Sequence, residues 1–290
     1  MTDATLAQGH TLTERILREE DPRVFLQNLL ANWGSVQTIG RGEVTQAQLI
    51  EALKHLETNA PSAQAPKAQQ LIVQEQVKLL LEHLPHLDVS HVEENIALAT
   101  GWMNPEATGL FCYVRTETMA IHFGIQEPWD NFGVLTEKTL GLLGRSRKFH
   151  NYREGQLDSK HHRLLASTKA AMQKIEAQQK GDIIVILVQL GELYRGKSVD
   201  ASRVLIGKSG NQFCLPAFIV GQIFLVNPDI LTSNKDLFID CPGDEYHLDT
   251  QELFDYALYF GVDEVGILYF DDGRTRNPYA AYGSAWGFFQ

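Results

Sequence analysis

The chain has 290 residues, 44% hydrophobic and 21% charged, enough to bury one large core or two moderate ones. Its formal net charge of −11 sets long-range repulsion against polyanions, which excludes a protein that binds nucleic acid or an anionic membrane over its whole surface. Cys112, Cys214 and Cys241 form no CxxC pair, no signal-peptide pattern opens the chain, and no apolar run is long enough to span a bilayer, so free thiols and a cytoplasmic location are expected.

In chain order, the first hundred residues read as helices. Asp21-Pro22 gives an N-cap followed by a proline suited to a first helical turn, and the helix runs to Gly34. A second helix starts near Thr45 and places Leu49, Ile50, Leu53 and Leu56 on one face. The stretch Asn59–Gln69 is rich in Ala, Pro and Ser and reads as an exposed linker. A third helix covers about Ala68–Leu84. A fourth opens on the capping box Ser90-x-x-Glu93 and closes at Gly101.

The pattern then changes. Leu110–Arg115 and Thr118–Ile125 predict a β-hairpin, Trp129–Gly144 a helix, and Ser159 to about Gln179 a long helix with Leu164, Leu165, Met172 and Ile175 as its buried stripe. The run Asp182–Leu190 is continuously apolar, as in a strand buried on both faces. Ser198–Ile206 predicts a short helix, while Leu215–Val226 fits either a strand or a helix. Leu237–Asp240 and Val265–Phe270 predict strands, and Asp249–Phe260, opening on Asp249-x-x-Glu252, predicts a helix. The expected class is α+β: a helical N-terminal region (about 1–105), a β-hairpin, and a C-terminal α/β layer with a mixed or partly parallel sheet. The expected units are N-terminal helices (1–58), a linker (59–69), helices plus hairpin (70–181) and an α/β domain (182–290).

Gly191-x-x-x-x-Gly196-Lys197-Ser198 follows the apolar strand with the spacing of a phosphate-binding loop. Glycines in such a loop let successive amides turn towards phosphate oxygens, the lysine reaches the terminal phosphates, and the serine holds magnesium. These eight residues resemble P-loop NTPases, which implies a nucleotide with Mg on Gly191, Gly196, Lys197 and Ser198, with Asp240 or Asp271 as acidic partner. Bulky Glu192, Leu193, Tyr194 and Arg195 depart from that pattern.

Asp240-Cys241-Pro242-Gly243-Asp244-Glu245-Tyr246-His247 concentrates carboxylates, a thiol and an imidazole. Asp240, Asp244, Glu245 and His247 are candidate metal ligands, and Cys241 with His247 as base is a candidate nucleophile pair. Were the strands parallel, the loops 191–198, 240–247 and 271–276 would share the carboxyl ends where α/β sheets bind ligands. Residues 145–163 carry six cations with Phe149 and Tyr152 among them, a possible nucleic-acid patch that the overall charge disfavours. With no complete catalytic signature and an aromatic tail at Tyr279–Gln290, the expected function is a binding or regulatory protein acting through a protein partner or self-association, without membrane contact. A nucleotide-binding phosphohydrolase and a Cys- or metal-dependent hydrolase are the alternatives.

Overall fold

The computed structural model describes residues 72–102, 104, 106–248 and 253–289. The expected helices before residue 59, the linker and the opening of the 249–260 helix lie outside the described residues. Chain contacts separate residues 1–66 from residues 67–290, and the described elements all belong to the second unit.

Seven helices and nine strands lie among the described residues. They are α1 Val73–His83, α2 Val92–Thr100, β1 Gly109–Val114, α3 Thr116–Phe123, α4 Phe132–Ser146, β2 Phe149–Asn151, β3 His162–Leu164, α5 Ala166–Gln178 and β4 Ile183–Leu190. After a 3-10 turn at Glu192–Tyr194 come α6 Val199–Lys208, β5 Gln212–Cys214, α7 Ala217–Val226, β6 Phe238–Tyr246, β7 Tyr256–Val262, β8 Leu268–Arg274 and β9 Tyr282–Phe288. The sheet order is β1-β4-β9-β6-β7-β8-β2, with β3 beside β6 and β5 beside β9. Among the described residues, β6/β9 and β2/β8 are the parallel pairs, and the other pairings are antiparallel. The class is α+β with a mixed sheet, and segments 70–181 and 182–290 contribute to this same sheet. No helix among the described residues is long and apolar enough to cross a membrane.

Helices α1, α2, α4 and α7 pack with the sheet into the main core, where every residue of α7 is buried. That resolves the ambiguity of 215–226 in favour of a helix: Pro216 supplies its N-cap, and a helix apolar all round is a core helix. Two buried glutamines complete the β1 edge. Gln222 accepts from the Val114 amide at 2.8 Å, and Gln76 accepts from Cys112 at 3.1 Å.

Several expected elements are replaced. The hairpin does not form, because 116–123 is helical. Its buried Thr116, Met119 and Ala120 recur at helical spacing, and Gly124 at φ 68° terminates it. Arg115 is drawn into this junction, donating to the carbonyls of Glu176, Gln179 and Gly181 at the end of α5. The capping box at Ser90 is also absent: Ser90 Oγ donates to Asp88 at 2.6 Å, and His91 is the N-cap of α2.

The long helix begins at Ala166 rather than Ser159. The Asp158 carboxylate accepts amides of Lys160 and His161, turning the chain into β3. Met172 and Ile175 are buried as expected, whereas Leu164 and Leu165 precede the helix and are half-buried. Residues 256–262 form a strand instead of the end of a helix. Tyr256–Val262 pairs on both sides, with β6 and β8, and that pairing overrides the local signal.

Candidate functional site

The phosphate-loop residues occupy a different geometry from the one their spacing implies. β4 lies between antiparallel neighbours, β1 and β9. Gly191 takes φ 87°, and a Cβ there would stand 2.4 Å from the Gly283 carbonyl oxygen, so the glycine serves a backbone crossing. The amides of Tyr194, Arg195, Gly196 and Lys197 donate to the carbonyls of Gly191, Glu192, Tyr282 and Tyr194. Four of the amides a phosphate cradle would use are therefore turned to internal acceptors. Glu192 and Arg195 pair at 2.9 Å, and Ser198 Oγ accepts the Ala201 amide as N-cap of α6. Asp271 pairs with Arg153 at 2.7 Å.

The acidic segment 240–247 belongs to strand β6 and its end, and its polar groups are separately engaged. Asp244 is fully buried, 2.7 Å from His162 Nε2, and its other oxygen accepts the Ala217 amide at the start of α7. Glu245 pairs with Arg163 on the surface. His247 donates to the Lys160 carbonyl. Burial pushes Asp240 up to about 7, opposed by the positive charge of Arg203. Among the described residues no group of three or more His, Cys, Asp or Glu is placed to hold a metal ion, and of the expected ligands Asp240, Asp244, Glu245 and His247 the last three are engaged separately.

The Cys241 thiol is fully buried and donates to the Ile239 carbonyl, and burial raises its pKa well above the free value. His247 is turned to the Lys160 carbonyl, so neither member of the expected Cys241–His247 pair has the other as its hydrogen-bond partner here. The cations of 145–163 are likewise dispersed. Arg147 binds the carbonyls of Pro228 and Leu231, Arg153 binds Asp271 and Asp272, and Arg163 binds Glu245 and stacks on Phe254. Three of the six are thus held by local groups and do not line a common strand-binding surface.

The structure instead assembles a site on the sheet face opposite the main core. Ser284, Asp240, Tyr259 and Asp271 stand side by side across β9, β6, β7 and β8. Tyr282 and Phe238 pair in the adjoining row, where Tyr269 opposes Gly261. A Cβ on Gly261 would lie 2.9 Å from the Tyr269 ring and 3.1 Å from Phe238, so the missing side chain makes room for both rings.

The result is an open groove of about 510 Å³ lined by Tyr152, Asn234, Phe238, Tyr259, Val262, Asp263, Glu264, Tyr269 and Asp271. Four aromatic rings and three carboxylates meet there, and among the described residues no lysine, arginine or histidine joins the lining. Burial pushes the Tyr259 hydroxyl pKa up, reinforced by its hydrogen bond to Tyr282, whose own value rises to about 12. These phenols stay neutral at physiological pH. Negative charge in the groove therefore comes from carboxylates alone, and the rings offer their faces.

Of the expected site residues, Asp271 lines this groove, and Asp240 lies beside Tyr259 in register. Sequence reasoning misses Tyr259 because it assigns 249–260 to a helix, and it misses the other lining residues because strand pairing alone brings them together. The available signal is period two: Tyr269 and Asp271 alternate with the inward Leu268 and Phe270, and Tyr259 and Gly261 alternate with Leu258, Phe260 and Val262. No family model, no curated protein and no solved structure matches the chain.

Proposed function

We propose that the chain is a binding protein acting through protein–protein interaction, and that the groove over β7 and β8 receives a positively charged group of the partner. The observation that carries this reading is the lining itself: four aromatic rings and three carboxylates, with no cationic side chain in the wall among the described residues. A cation over a ring face is attracted by the ring quadrupole, and neighbouring carboxylates add a directional charge. The overall charge of −11 favours the approach of a basic partner over an acidic one. The free, buried state of Cys112, Cys214 and Cys241 supports a cytoplasmic setting.

The test is isothermal titration of the full chain with two peptides of equal length, one rich in Lys and Arg and one rich in Glu. Saturable binding of the basic peptide alone, weakened by Tyr152→Ala, is the expected result. Equal heats from both peptides would retire the reading.

A further inference from the structure

We propose that the cation this groove selects is an alkylated ammonium, such as a trimethylated amine head, in preference to a guanidinium or an unmodified ammonium. This rests on the reading of the groove as a cation site. The first argument is the disposition of the rings. Tyr259 stands at 81° to Tyr269 with centroids 5.9 Å apart, and Tyr152 stands at 78° to Tyr269 with centroids 5.8 Å apart. These edge-to-face contacts hold the three rings rigidly along the groove, and the half-exposed Tyr152 presents ring surface to a cation arriving from solvent.

The second argument is hydrogen-bonding capacity. Asp271 Oδ1 is engaged by Arg153, and Asp263 Oδ1 accepts the amides of Val265 and Ile267 at 3.0 and 2.8 Å. Two of the three carboxylates in the wall therefore have an oxygen already occupied. A guanidinium brings five donors in a fixed fork and an ammonium brings three, and either gives up water bonds on leaving solvent. A quaternary ammonium brings none, so ring faces and undirected negative charge are enough for it.

The experiment titrates the full chain with three peptides that differ only in a central residue: trimethyllysine, lysine or arginine. Tetramethylammonium chloride is added as competitor, and choline is titrated alone. The expected result is about tenfold tighter binding of the trimethyllysine peptide, displacement by tetramethylammonium, and loss of the preference in Tyr152→Ala. Tyr152 is 50% exposed, so its removal leaves the core untouched. Binding of choline and tetramethylammonium with no binding of any of the three peptides supports the alkylated-ammonium chemistry and assigns its source to a free small cation. Equal or tighter binding of the lysine or arginine peptide overturns the preference and leaves the cation reading standing. Absence of binding by every cationic probe overturns both.

Discussion

Glu176 is a carboxyl group held out of water, 3% exposed, with Thr116 Oγ1 donating at 2.7 Å and Tyr113 Oη at 3.2 Å. Burial pushes its pKa up to about 8, against the lowering effect of the Thr116 hydrogen bond. Linkage sets the sign. The protonated form fits the fold, so its contribution is intact below the unfolded carboxylate value and is lost as pH rises towards about 8. Glu176→Gln is expected to raise stability at pH 8.5 by a few kcal/mol and to change little near pH 4, read from urea unfolding at the two pH values; roughly 1.4 kcal/mol per pKa unit sets the scale. The buried His162–Asp244 pair behaves oppositely under mutation. Asp244→Ala removes the acceptor of both His162 and the Ala217 amide and is expected to cost about 3–5 kcal/mol, the usual loss when one half of a buried pair is removed. A midpoint shift below about 1 kcal/mol would show that the pair is dispensable.

At the scale of elements, the segment after β4 shows how a motif can be consumed by structure. Ser198 acts on Ala201 as an N-cap, so Ser198→Ala is expected to cost about 1 kcal/mol of stability. Gly191→Ala should cost more, roughly 2–4 kcal/mol, because a positive φ and a backbone clash with Gly283 coincide. Both are read as changes in the urea midpoint at constant slope. Titration with ATP and magnesium is expected to give no saturable binding in either the native chain or Lys197→Ala. Binding abolished by that substitution would restore the phosphate-loop reading. Elements with one strong local signal were legible: the strand 183–190 by its unbroken apolar run, and the helix 199–208 by its serine cap. Residues 116–123 and 256–262 were not, since their apolar patterns satisfy two periods over a short window and pairing partners decide between them.

For the whole molecule, charge is the property that acts at long range. The acidic balance predicts that association with a basic peptide is steered electrostatically. Raising ionic strength from about 0.05 M to about 0.5 M should weaken binding several-fold, mostly through a slower on-rate, as the screening length shortens. Stopped-flow kinetics at the two salt concentrations checks this, and a salt-independent on-rate would place the attraction in short-range contacts alone.

The amino-acid sequence by itself determined the α+β class and the position of the most buried strand. It also set the acidic balance and the turn chemistry at Gly191 and Ser198. These depend on composition, local periodicity and backbone freedom, all readable within a window of a few residues. The groove was decided by tertiary structure alone. Tyr152, Phe238, Tyr259, Tyr269 and Asp271 come from β2, β6, β7, β8 and their flanks, and only the strand register places their side chains on one face. The same pairing extends the expected strand from Asp240 through Asp244, and the irregularity of β6 after Cys241 separates the two carboxyl groups. Register is a long-range outcome of core packing, and for that reason the site is assembled only when the sheet is.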